Sequence, residues 1–433
     1  MNCKSALLSL LTTALLAVTA QAQSQDTVTA FKPHGTLWGL TFGDYAFKGN
    51  ADSVNNGLGR GGNQYSKIPV DSKFFQFRRV YLGYTYDISP RLTAEVLLAA
   101  EDDYYPGSVG NQSSYGDALV NNKFAPYLKL ANVRWKNIFK GTDLVLGEMT
   151  TPAFPMLSEV VWGYRSVERT VADMRGTPSV DQGIALQGHF GKNANFGYNL
   201  MVGNGTGARA ENDMFPWYYG DVWAKFFNQH LIVDLYQDYT KIDWTAAVDT
   251  NTDAYHHDRN MTKLFVAYTT PKFTIGVEAF QNTLMGDVTA YAFVNGVNKT
   301  YYRTTSITAY SVYARGRIYK DVFGFFARYD NYDPGHKVNG IVDIPKIASY
   351  NQAVNNVQYD PTTKEQFVTF GIDYTPFPNL HLIPNFYMNT YASTLSSKYS
   401  SSMNPNISGV LGTDVVYRIT VYFIFGKKDP VRY

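Results

Sequence analysis

Three observations predict an all-β fold: a transmembrane antiparallel β-barrel of about 16 strands with a short helical constriction loop. Apolar side chains recur at every second position through segments of about ten residues, the rhythm a strand needs when one face meets hydrocarbon and the other water. The connections alternate between short turns and long polar loops, as in barrels that keep turns on one side of a membrane and loops on the other. Beyond the first residues no apolar run approaches the roughly 18 residues of a spanning helix, so a membrane-embedded chain must cross as strands.

The chain opens with Lys4, an apolar stretch from Ala6 to Val18, and Ala20-Gln21-Ala22. That is the charged start, short apolar middle and small-residue exit of a secretory signal peptide, so residues 1–22 are expected to be cleaved and 23–433 to form the outer-membrane barrel. Cys3 is the only cysteine and falls in the removed segment, which leaves the mature chain no thiol for a disulfide, a metal or a nucleophile.

Strands are expected near 36–45, 74–86, 91–100, 127–136, 142–150, 181–190, 195–203, 218–227, 230–240, 261–270, 272–282, 304–318, 322–330, 365–375, 380–390 and 413–426. In the second of these Val80, Leu82, Tyr84 and Tyr86 share one face, and Arg79, Tyr81, Gly83 and Thr85 the other. Short turns follow the even strands, from Asp87-Ile88-Ser89-Pro90 to Pro376-Phe377-Pro378-Asn379. Long loops follow the odd ones, at 46–73, 101–126, 151–180, 204–217, 241–260, 283–303, 331–364 and 391–412. Both chain ends then lie on the turn side.

With 34 Tyr and 27 Phe against only 17% charged residues, the composition suits aromatic girdles at two membrane interfaces. A net charge of +2 gives no bulk field to hold a nucleic acid. Trp38, Trp135, Trp217 and Trp223 fall near strand ends, where an interface belt is expected.

The third long loop differs from the others in carrying both aliphatic and charged residues. Pro152 and Pro155 break the strand, Ser158 is a natural helix cap, and the stretch after it can make about four helical turns. Such a helix can fold into the barrel and narrow it, with Arg165, Arg169 and Arg175 as anion contacts and Glu159, Glu168 and Asp173 opposing them. The same charges can instead pair along a solvated helix, Arg165 with Glu168 and Arg169 with Asp173.

Gly147-Glu148-Met149-Thr150-Thr151-Pro152, Ser158-Glu159, Arg165-Ser166-Val167-Glu168-Arg169, Asp181-Gln182-Gly183-Ile184 and Asn199-Leu200-Met201-Val202-Gly203-Asn204-Gly205 occur in this order. Together they resemble the phosphate-selective porin O and P family of outer-membrane porins. The match is clear over about residues 125–205, with Arg78-Arg79 to Tyr86 as weaker support. The resemblance implies a channel for small hydrophilic solutes or anions, built as a homotrimer of sixteen-stranded subunits in outer-membrane lipid.

Inward basic residues are expected at Arg79, Arg134, Lys225, Lys263, Arg315, Arg317, Arg328 and Arg418. Inward acids are expected at Glu95, Glu148, Asp181, Asp221, Asp234, Asp238, Glu278, Asp330 and Asp373, so the two signs nearly balance. Arg315, Arg317 and Arg328 on adjoining strands make the best basic wall. His256-His257 is expected in a solvated fifth loop, neither metal nor cofactor is called for, and no catalytic triad is visible. An adhesin barrel that does not conduct, and a barrel phospholipase with Ser and His on its lipid face, are the competing classes.

Overall fold

The computed structural model describes residues 31–50, 65, 68, 70–101, 126–174, 177–191, 193–211, 213–245, 255–294, 297–333, 347–350, 363–393 and 412–426. The expected signal peptide at 1–22 lies outside them. The strands are β1 (His34–Asn50), β2 (Lys73–Ser89), β3 (Leu92–Glu101), β4 (Tyr127–Phe139), β5 (Thr142–Thr150), β6 (Val180–Phe190), β7 (Phe196–Gly203), β8 (Trp217–Phe226) and β9 (Leu231–Thr245). They continue with β10 (Tyr255–Thr269), β11 (Phe273–Val294), β12 (Val297–Tyr319), β13 (Phe323–Asp333), β14 (Ile347–Tyr350), β15 (Thr363–Phe377), β16 (Leu380–Ser393) and β17 (Gly412–Gly426).

All sixteen expected strands are present, and they form one closed antiparallel barrel in which β1 pairs with β2 on one side and β17 on the other. Closure gives every wall strand two partners and leaves no open edge, which a backbone in hydrocarbon requires. The short β14 stands outside that circuit and, among the described residues, pairs with the far end of β11.

Two loops differ from expectation because strand pairing runs on past the apolar span. β11 and β12 stay paired from Val288↔Arg303 to Val294↔Val297, so most of the expected sixth loop is a hairpin. β9 and β10 likewise pair up to Thr245↔Tyr255, which puts His256 and His257 on a strand, with His257 buried rather than solvated.

Large apolar side chains cover the outside, among them Leu82, Leu146, Leu200, Val222, Leu235 and Ile419. Beside the short turns they give way to rings in contact: Phe190 with Phe196 at 6.0 Å, Tyr268 with Phe273 at 6.1 Å and Phe323 with Tyr374 at 5.0 Å. Phenylalanine and tyrosine therefore build the girdle on that side. Of the four tryptophans assigned to it, only Trp135 faces out; Trp38, Trp217 and Trp223 are buried inside, where strand parity puts them.

Parity also corrects one inward acid. Glu148 pairs with Ala131 and Gln182, on the face of Leu144 and Leu146, while Val145 and Met149 point into the buried cluster. The other inward charges named above share the parity of the buried face. At β2 a bulge makes Phe42 face Arg79 while Gly43 faces Phe77. The extra residue lets both Arg78 and Arg79 point inward and be buried, which simple alternation forbids.

Candidate functional site: the third loop and the charged wall

The third loop leaves β5 at Thr150 and is tied at its base, where the Thr151 amide donates to Ser179 O at 3.1 Å and its hydroxyl to Pro178 O at 2.6 Å. It then forms two short helices, α1 (Ser158–Trp162) and α2 (Val171–Met174), in place of one helix of four turns. Gly163 is the reason. Its φ of 70° reverses the chain while its amide caps Glu159 O at 2.9 Å, and Trp162 Nε1 then holds the returning strand at Glu168 O, 2.9 Å away. Ser158 is not the cap: Leu157 occupies that position, and the Ser158 hydroxyl turns back to Phe154 O.

The loop's apolar side chains pack on the inner wall. Leu157, Val161, Trp162, Tyr164 and Val167 share one buried cluster with Trp223, Phe265, Tyr313, Phe326 and Ile383. Phe154, Val171 and Ala172 share another with Tyr219, Tyr236 and Phe280. Trp162 is the centre of the first, edge-on to Tyr313 at 4.9 Å and to Phe326 at 6.0 Å, with the Arg328 guanidinium 5.2 Å above it.

Wall arginines fasten the loop's backbone. Arg315 Nε donates to Val161 O at 2.9 Å, Arg328 Nη1 to Arg169 O at 2.5 Å, and Arg418 Nη2 to Val167 O at 2.7 Å. Arg78 donates to Ser166 O and, at 3.3 Å, to Val167 O. On β11, which adjoins the strand of Arg315, Glu278 Oε1 accepts the Ala172 amide at 3.3 Å, and on β10 beside it Arg259 Nη2 donates to Thr177 Oγ1 at 2.9 Å. Carbonyls that a short irregular loop cannot pair internally are thus satisfied by charged donors, each bond worth about 1.5–3 kcal/mol.

The loop's own charges converge, with a pairing other than the helical spacing suggested. Arg165 bonds Glu159, and its Nη1 lies 2.6 Å from Asp173 Oδ2. Arg169 keeps its expected partner Asp173 at 3.9 Å, and Glu168 accepts the Arg169 amide at 2.9 Å instead of meeting Arg165. Arg175 lies outside the described residues. Burial pushes the Glu159 carboxyl above the usual carboxylate range, and the negative Asp173 adds to this against the pull of Arg165. Burial of the Arg165 guanidinium is outweighed by Glu159 and Asp173, so it stays firmly charged. The side chains of Arg165 and Arg169 are 20% and 30% exposed, whereas those of Glu159 and Asp173 are 14% and 9% exposed, so the cluster turns its cations to the water.

The expected wall divides. Arg79 pairs with Glu101 at 3.3 Å, and Arg134 pairs with Asp143 at 3.1 Å and donates to Gln187 at 2.6 Å. Arg328 is closed by Asp330 at 2.5 Å as well as by the loop, which removes it from the basic cluster. Arg315 contacts the loop but no carboxylate within salt-bridge distance among the described residues, and Arg317 is 39% exposed with Asp321 3.9 Å away.

Several participants were missed in the sequence. Arg78 is legible only from the parity break between Phe77 and Val80 in the outward stripe. Lys129 is exposed to the same reasoning, since Leu128 faces out while Lys129 and Leu130 are both buried beside a register shift in β4. Tyr65, in the first loop, and its buried neighbours Asp44 and Lys48 gave no sequence signal. Among the described residues no group of three or more His, Cys, Asp or Glu is placed to hold a metal ion.

The fold recurs in solved outer-membrane channels. The channel DcaP of Acinetobacter baumannii matches with a TM-score of 0.55 at 11% identity, over 92% of this chain and 100% of that one. OmpT of Vibrio cholerae in its trimer form matches at 0.52 and 11%, over 91% and 100%. An anion-selective porin from Comamonas acidovorans matches at 0.51 and 12%, over 91% and 100%. At such identities the likeness is one of fold. No family model matches the chain, the phosphate-selective porins included. No curated protein matches it either.

Proposed function

We propose that this chain is an outer-membrane porin: a passive, water-filled channel for small hydrophilic solutes, with the third loop folded into the lumen as its constriction. It performs no reaction and needs no cofactor. In this reading the signal peptide at 1–22 directs export, the mature barrel sits in outer-membrane lipid, and three copies assemble, as the solved trimer form with the same fold does. Discrimination comes from the width left beside the loop and from the field of the charges around it.

The observation that carries the proposal is the unequal exposure of the loop's charges. Arg165 and Arg169 keep more of their surface in water than Glu159 and Asp173 do, although the two signs are equal in number. With Arg315 and Arg317 on the adjoining wall, they give a passing solute more positive than negative groups to meet, which favours anions, phosphate among them.

The test is a planar-bilayer recording of the reversal potential in a salt gradient, for the native chain and for Arg165→Ala with Arg169→Ala. Stable conductance steps are expected from the native protein, and the double substitution is expected to move the reversal potential towards cation preference. An unaltered potential would remove both arginines from the mechanism. Silence from well-folded protein would remove the channel.

A further inference from the structure

We propose that Tyr65 of the first long loop is a positioning residue for the constriction. Through Asp44, Arg78 and Arg418 it holds the bend at Ser166 and Val167, so that this tyrosine and the third loop are set as one unit. The functional meaning of this clasp rests on the third loop being the constriction; the clasp itself rests on geometry.

Tyr65 is fully buried, and both its ends are held. Its hydroxyl donates to Asp44 Oδ2 at 3.0 Å and accepts from Arg418 Nη1 at 2.7 Å and Gln76 Nε2 at 3.2 Å. Its carbonyl accepts from Lys48 Nζ at 2.7 Å, and that ammonium pairs with Asp414 at 2.6 Å. The ring stands edge-on to Tyr387, 5.0 Å between centroids.

From the hydroxyl, two routes lead to the same carbonyl. Arg418 spans the gap directly, since its other terminal nitrogen donates to Val167 O at 2.7 Å. Asp44 forms the second route: it accepts from Arg78 Nη2 at 3.0 Å within an ion pair whose nearest approach is 2.6 Å, and Arg78 Nη1 donates to Val167 O at 3.3 Å. Val167 closes the turn that starts at Tyr164, its amide 2.8 Å from Tyr164 O, and it lies two residues from both Arg165 and Arg169. The clasp therefore sets the place of the two guanidiniums that the selectivity argument uses.

The barrel does not need this cluster to close, because β1 meets β2 from His34↔Asp87 to Phe47↔Lys73 and β17 from Trp38↔Gly426 to Asn50↔Val415, each ladder interrupted by a single bulge. What the phenol adds is a fixed orientation for two arginines in a buried site, where a lost partner is felt by every member of the network.

The test is hydrogen exchange by mass spectrometry on the full mature chain, comparing the native protein with Tyr65→Phe, Arg78→Gln and both together. Tyr198→Phe is the control, since that phenol meets Thr142 on the outer face, away from Tyr65 and from 158–174. Loss of one such bond is expected to speed exchange in peptides covering 158–174 by about tenfold in Tyr65→Phe, with the control unchanged. The double variant is expected to add little to the larger single effect, because both substitutions break one network. Brief closures in single-channel records should become more frequent in step. Native rates at 158–174 in Tyr65→Phe, or full additivity in the double variant, would overturn the proposal. Should Arg78→Gln fail to fold, Tyr65→Phe decides alone. If the native protein proves silent while Tyr65→Phe still loosens 158–174, the clasp stands and the channel reading falls.

Discussion

At the scale of residues the site depends on which charges are left with water. Arg165 sits between Glu159 and Asp173, so one guanidinium serves two carboxylates and the three groups carry a net charge of −1 when all are ionised. Burial and Asp173 raise the Glu159 pKa, so this carboxyl takes up its proton at a higher pH than an ordinary glutamate does. The trio then becomes neutral, and anion preference is expected to strengthen as pH drops through the raised value. Folding stability moves in the same direction: the contribution is fully present below the ordinary carboxylate range and is lost as pH rises through the raised value. Reversal potentials recorded against pH check the first statement, and Glu159→Gln should flatten the curve. A pH profile identical in that variant would place the titration elsewhere.

At the scale of elements the third loop is shaped by one left-handed residue. Gly163 ends α1 at a φ of 70°, and an added Cβ would sit 3.4 Å from the Arg315 guanidinium carbon, so Gly163→Ala meets strain in the backbone before any clash. The expected cost is about 1–3 kcal/mol, local to the loop. Exchange protection of the amides in 158–168 should fall while that of the strands is unchanged, and equal protection in the variant would show that something else terminates α1. The pairing of Arg165 follows from the same turn. A continuous helix would have put Arg165 beside Glu168, but the reversal at Gly163 carries it back over Glu159.

At the scale of the molecule, wall and loop are held by different forces. Backbone ladders close the wall around its full circuit, whereas the loop is held by side-chain bonds from Arg78, Arg315, Arg328 and Arg418 and by packing around Trp162. Replacing Ser158–Met174 by a short Gly-Ser link is therefore expected to leave the barrel folded, read as retained β-type circular dichroism and heat-modifiable migration in detergent gels. Single-channel conductance should rise by about several-fold as the constriction goes. A chain that no longer folds would show the loop to be part of the core the wall requires.

The sequence by itself determined the barrel, since strand order, strand number and the inside and outside of each wall follow from a two-residue period, and a period is local. Val80, Leu82 and Tyr84 could be placed on one face without knowing their partners. Only the tertiary structure decided the bulge that turns both Arg78 and Arg79 inward, the partners of Arg165 and the burial of Tyr65. The partners of Arg165 follow from the turn at Gly163, and the others depend on contacts between residues far apart in the chain, Tyr65 with Arg418 among them. Side-chain bonds across a closed lumen leave no periodic mark on the strands that meet there.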